Sequence, residues 1–122
     1  MGVHNFLYEM SEAFDTERIT DPGDAGAIPV TQSGLCALVS AAAETRTLAA
    51  PARAGLFLLL AFRTDGGDIT LTCATGLNVT GNTTITFDTA GECILLVSVP
   101  SGTGYVWRAM SCLPEADTAT LG

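Results

Sequence analysis

The chain has a single histidine, His4, close to the start. A serine or cysteine nucleophile needs a base within hydrogen-bond reach. His4 could serve only if its segment folded back beside a strand cysteine or serine. The carboxylates stand at turns. Asp65 and Asp68 flank Gly66 and Gly67, and Asp88 and Glu92 flank the reversal at 89–91. Acids so spaced can bind calcium or act as an acid–base pair. The first turn, however, lacks the alternating aspartates of a calcium loop. Short Asp side chains beside glycine commonly accept turn N–H groups, and that is the expectation here. Cys36, Cys73, Cys93 and Cys112 permit two disulfides in three connectivities. No CxxC pair occurs, whereas zinc sites usually use closely spaced pairs, so buried thiols in strands are expected. Asn78-Val79-Thr80 and Asn82-Thr83-Thr84 match the glycosylation pattern, and are read as turn asparagines in a chain without a secretory signal. Trp107 is either a core side chain or a platform for stacking a sugar. No glycine-rich turn opens a helix with the residues of a phosphate loop. These residues point to no enzyme, no cofactor and no metal.

Composition favours attachment. Of 122 residues, 48% are apolar and only 15% charged, against roughly 25% charged in an average soluble chain. A small domain so poor in charge is expected to bury apolar surface against copies of itself or another protein. The net charge is −8, from 13 acids and 5 arginines with no lysine. Binding to nucleic acid or an anionic membrane would require a cationic face, so neither is expected. The first residues, MGVHNFLYEMSEAF, lack the basic start and continuous apolar run of a signal peptide. The apolar run at 54–62 is far shorter than the roughly 20 residues of a membrane helix. Synthesis and use without membrane passage are expected.

The elements that must position any site are strands. Residues 1–34 read as an N-terminal arm, 35–113 as a β-domain and 114–122 as a polar C-terminal tail. In the arm, Leu7, Met10 and Phe14 have the i, i+3, i+7 spacing of a short helical face, with Phe6 and Tyr8 adding aromatic surface. The Asp-Pro-Gly and Ile-Pro pieces that follow break regular structure. So long a connection is explained by an arm reaching over a neighbouring subunit. In the β-domain, CALVS and RTLAA read as short strands. GLFLLLAFR, apolar on both faces, reads as a central strand. The glycines of TDGGD are expected to supply positive φ. DITLTC places Ile69, Leu71 and Cys73 on one face and Thr70 and Thr72 on the other. TTITFD likewise separates Ile85 and Phe87 from Thr84 and Thr86. Cys93, Leu95, Val97 and Val99 are expected to point inward, with Ile94 and Leu96 on an outer face that is also covered. YVWRAMSC closes the domain. Strands at this spacing with glycine-rich turns predict an all-β fold, a small β-sandwich or a β-tulip or barrel-like domain.

The block TDGGDITLT, GNTTITFDTAGECILLVSV and GTGYVWRAMS resembles a recurring β-segment of small structural proteins in tailed bacteriophages. In that segment a strand rich in Ile and Thr leads to Asp-x-x-Gly-Glu/Asp, a run of aliphatics, then Gly and a Trp on the last strand. The resemblance spans residues 55–112 and is similar to head decoration (cement) proteins and other virion β-domains. It implies a sandwich or tulip-like domain, often a trimer, seated on the outer surface of the capsid in the virion. In such proteins a terminal arm lies across capsid subunits. The partner is then the major capsid protein. Phe6, Leu7, Tyr8, Met10 and Phe14 are the expected anchors, with Arg18 as an ion-pair partner. The other reading from the residues is a receptor- or glycan-binding module of a tail fibre or other appendage, using Trp107 and Tyr105.

Overall fold

The structure is a computed structural model that describes residues 19–110 and 118–122. The described residues are all-β, without a helix. The strands are β1 (Gly26–Ala27), β2 (Gly34–Val39), β3 (Glu44–Leu48), β4 (Phe57–Thr64), β5 (Ile69–Cys73), β6 (Thr84–Phe87), β7 (Cys93–Ser101), β8 (Gly104–Met110) and β9 (Thr120–Leu121). They form two open sheets, one ordered β1-β3-β5-β6-β9 and the other β2-β4-β7-β8. From β1 to β5 the chain changes sheet at every step, which is why β1, β3 and β5 pair in parallel, as do β2 and β4. The later pairs, β5–β6, β4–β7, β7–β8 and β6–β9, are antiparallel.

The two sheets bury one apolar core. Side chains alternate across each strand, so every second residue faces the opposite sheet. Cys36, Leu38, Leu58, Leu60, Phe62, Ile94, Leu96 and Trp107 face inward from the four-stranded sheet. Leu48, Ile69, Leu71, Cys73, Ile85 and Phe87 meet them from the five-stranded sheet. The Phe62 and Phe87 rings join the layers, with centroids 5.9 Å apart and planes tilted by 60°, a favourable aromatic geometry. Burial pushes the Cys73 thiol up to about 12. The nucleophilic thiolate is then rarer by roughly a thousandfold near pH 8 than for an ordinary cysteine. Alkylation of native protein at pH 8, followed by peptide mapping, should leave Cys73 unmodified long after the urea-unfolded chain is labelled. Equal labelling rates would show that this strand opens readily.

Several boundaries differ from the sequence expectation. Residues 19–34 are part of the domain. Ile19 is buried, bridges to Cys36 and donates its N–H to the Leu35 carbonyl at 2.8 Å. Ile28 is also buried, and β1 pairs with β3. The described end of the C-terminal stretch belongs to the domain too. Thr118 bridges to Cys93, and β9 adds an outer strand beside β6. On β7 the faces are the reverse of the expectation: Ile94, Leu96 and Ser98 are buried, while Cys93, Leu95, Val97 and Val99 are half-buried. Ser98 faces inward because its hydroxyl accepts the Leu56 N–H at 2.7 Å.

Gly66 and Gly67 also act differently from the expectation. Neither has positive φ. Both pass so close to the 40–43 loop that an added Cβ on Gly66 would overlap the Ser40 carbonyl, and one on Gly67 the backbone of Ala42. At this turn the missing side chain matters, rather than the freedom of φ.

Candidate functional site

The two outer faces of the sandwich differ in chemistry. On the five-stranded sheet, Thr45, Thr70, Thr86 and Thr120 pair in one row, and Thr47, Thr72 and Thr84 in another. Hydroxylated, β-branched side chains suit a solvated strand face.

The four-stranded sheet presents the opposite. Leu35, Leu59, Leu95 and Met110 are cross-strand neighbours in a continuous row. Beside it run a shallower row, Ala37, Ala61 and Cys93, and a third, Phe57, Val97 and Arg108. Most of these side chains are half-buried, and Met110 and Val39, at the rim, are 45% and 42% exposed. They lie on the side of the sheet away from the core cluster. The cause is local: β4 and β7 are central strands made of continuous apolar runs, so both of their faces are apolar whichever one meets the core.

The charged side chains at outward strand positions of this face are both arginines, with Asp21 beside Arg63 at its edge. Arg63 lies beside Ala37 near the edge, and Arg108 projects outward from β8. Outward strand positions here carry no carboxylate among the described residues. Arg108 donates to the carbonyls of Gly76 at 2.6 Å and Trp107 at 3.3 Å. Neither arginine is in an ion pair among the described residues.

The acids singled out by spacing hold turns. Asp65 Oδ1 accepts the Gly67 N–H at 3.1 Å. Glu92 is buried, and its Oε1 accepts the N–H groups of Asp88 and Thr89 at 2.8 and 3.2 Å. Asn78 is a turn asparagine: Oδ1 accepts from Gly81 and Asn82, and Nδ2 donates to the Asn82 side chain. Among the described residues no three His, Cys, Asp or Glu side chains stand close enough to hold a metal ion.

Trp107 is fully buried, and its indole N–H donates to the Ala49 carbonyl at 3.0 Å. It therefore offers no stacking platform; Tyr105, 39% exposed, remains at the surface. A pocket of about 540 Å³ opens near the ends of β8 and β9, lined by Ile94, Ala109, Met110 and Leu121. The polar Asn78 at its border already spends its amide on the turn. The expected anchors Phe6, Leu7, Tyr8, Met10, Phe14 and Arg18, together with His4 and Cys112, lie outside the described residues.

The leucine row was missed by the sequence reading, which assigned those positions on β7 to the core. The local pattern pointed the other way: Ser98 shares a face with Ile94 and Leu96 and reads as outward, yet it is buried, accepting the Leu56 N–H. Comparison with protein-family models, with curated proteins and with solved structures finds no match to this chain.

Proposed function

We propose that the protein is a structural virion subunit that binds the outer surface of a tailed-phage capsid and stabilises it across subunit seams, acting as a trimer with arm-mediated contacts. The observation that carries this reading is the apolar outer face of the four-stranded sheet, a surface suited to burial against protein rather than to chemistry. The charge-poor composition and the phage-like strand pattern support it. A capsid under internal pressure gains from added interface at many equivalent seams. Attachment at several points multiplies modest contacts through effective concentration. The arm supplies reach, and Phe6, Leu7, Tyr8, Met10 and Phe14 supply side chains able to fill pockets.

The test is made on virions and on capsids stripped of decoration. The protein should copurify with tailed particles, and gold-labelled antibody should mark heads. Removing residues 2–18 should abolish binding to stripped capsids while the β-domain stays folded. The deletion must stop before Ile19, which is a core residue. Labelling confined to tails, or absence from particles, would sink the capsid reading; full binding by the shortened chain would sink the role of the arm.

A further inference from the structure

We infer that the free protein is a twofold dimer in which two copies stack the outer faces of their four-stranded sheets, β4 antiparallel to β4. The inference goes beyond the capsid reading and does not depend on it. Shape is the first support. The raised row of Leu35, Leu59 and Leu95 lies next to the shallow row of Ala37, Ala61 and Cys93. A twofold axis running across the strands between these rows sets the leucines of each copy on the shallow row of the other. The face is then its own complement, which is the condition for an isologous pair.

Charge selects the orientation. The carboxylates of the described residues all stand at one end of the sandwich. Glu44 opens β3, and beside it Asp68 precedes β5 and Asp88 follows β6. At the same end Asp65 follows β4 and Glu92 precedes β7. Asp21 and Asp24 join them by accepting the Val39 and Thr45 N–H groups. The opposite end has Arg53 and Arg108, and no carboxylate among the described residues. Stacking with the β4 strands parallel would set acid end on acid end. Antiparallel stacking sets each arginine end toward the acids of the other copy. It also brings Phe57 of each copy over Val39 and Arg63 of the other, and an arginine over an aromatic ring is favourable.

The area suffices for a reversible pair. Strands about 4.8 Å apart, rising about 3.4 Å per residue, give four strands a face of roughly 500 Å². Two such faces bury about 1,000 Å² together, the least a specific interface needs. An interface of this size, steered by charges that salt screens, predicts a dimer that dissociates on dilution and more readily at high ionic strength. If both readings hold, the pair is the free form, and attachment exchanges the second copy for the capsid.

The experiment is sedimentation of the full chain without capsids, over a range of concentrations at low and high salt. The parent should form a dimer in low salt. Leu59→Asp should give a monomer, with the near-ultraviolet dichroism of buried Trp107 showing that the fold is kept. Arg108→Glu should weaken the pair severalfold in low salt and much less in high salt. Orientation is read from Phe57→p-benzoylphenylalanine, irradiated in the dimer, with the adduct mapped by mass spectrometry. The expected product has the mass of two chains, linked at Val39, Arg63 or a direct neighbour. A link at Phe57 or Val97 of the second copy, or on the threonine face, would overturn the inference. So would a dimer that Leu59→Asp leaves intact, or a parent that sediments as a trimer. A parent that stays monomeric also overturns it, and its face then has another occupant, a segment of its own chain or a different protein. Capsid binding enters no readout, so failure here is distinct from failure of the capsid reading.

Discussion

An Arg46→Ala protein should unfold at a much lower urea concentration than the parent, with a loss of roughly 3–5 kcal/mol, the range for removing one partner of a buried charge pair. Arg46 is fully buried on β3, facing the core side of its sheet. Its Nε donates to Asp21 Oδ1 at 2.8 Å and one terminal nitrogen to Asp21 Oδ2 at 3.1 Å, a bidentate fork. The same nitrogen reaches the Val39 carbonyl at 3.0 Å and Glu44 Oε1 at 3.0 Å, and the other donates to the Thr45 carbonyl at 2.9 Å. One guanidinium thus joins the segment after Ile19 to β2 and β3. Alanine would leave two carboxylates facing a void. Lysine would not restore the fork, because an ammonium is a point donor.

The loss should depend on pH. Burial alone would raise the Asp21 carboxyl, but the hydrogen bonds from Arg46 and from the Val39 and Gly23 N–H groups outweigh it, so the group sits below its ordinary value of 3.8. A carboxyl depressed in the folded state adds stability that is fully present above the unfolded value and is lost as pH falls through the folded one. In Arg46→Ala, Asp21 keeps its burial and the Val39 and Gly23 N–H bonds but loses its main partner, so less of the depression remains and the variant loses less stability on acidification than the parent. The gap in urea midpoint between parent and variant should therefore narrow from pH 7 to pH 3.5. A gap that stays constant would mean that Asp21 does not supply the coupling.

Arg46 also shows where the sequence was readable and where it was not. DITLTC and TTITFD separate aliphatics from threonines cleanly, so β5 and β6, their faces and the all-β class follow from a period of two. β7 alternates no less strictly, but between two apolar sets, so its period carried no sign. The sign was decided across the sheet, by register with β4 and by Ser98 capping the Leu56 N–H. Residues 19–34 have the proline and glycine of a linker, yet they are held by partners far along the chain. Asp21 meets Arg46, β1 is two residues long and pairs in parallel with β3, and Ile19 bridges to Cys36. Local pattern is blind to such contacts, because a short parallel strand has no hairpin turn to announce it. The outer leucine row was hidden for the same reason as the faces of β7: it is a property of three strands in register, not of any one of them.

Trp107→Ala should cost roughly 3–5 kcal/mol, the range for truncating a buried Trp or Phe. The ring is fully buried and comes from β8, an edge strand of its sheet, opposite Ser98 on β7. It fills the core where the two sheets end, and its N–H satisfies the Ala49 carbonyl just after β3. Trp107→Phe separates the two contributions. Phenylalanine keeps most of the apolar volume but leaves that carbonyl without its donor, for a loss of about 1–2 kcal/mol. Far-ultraviolet dichroism in urea measures both variants, since the chain has one tryptophan and its fluorescence is lost with it. The order parent, Phe, Ala should hold in the midpoints. If the Phe variant fell as far as the Ala variant, the hydrogen bond to Ala49 rather than the packing would hold β8 against the other sheet. If neither variant lost stability, the ring would not be a core element, and its surface roles, a sugar platform included, would reopen.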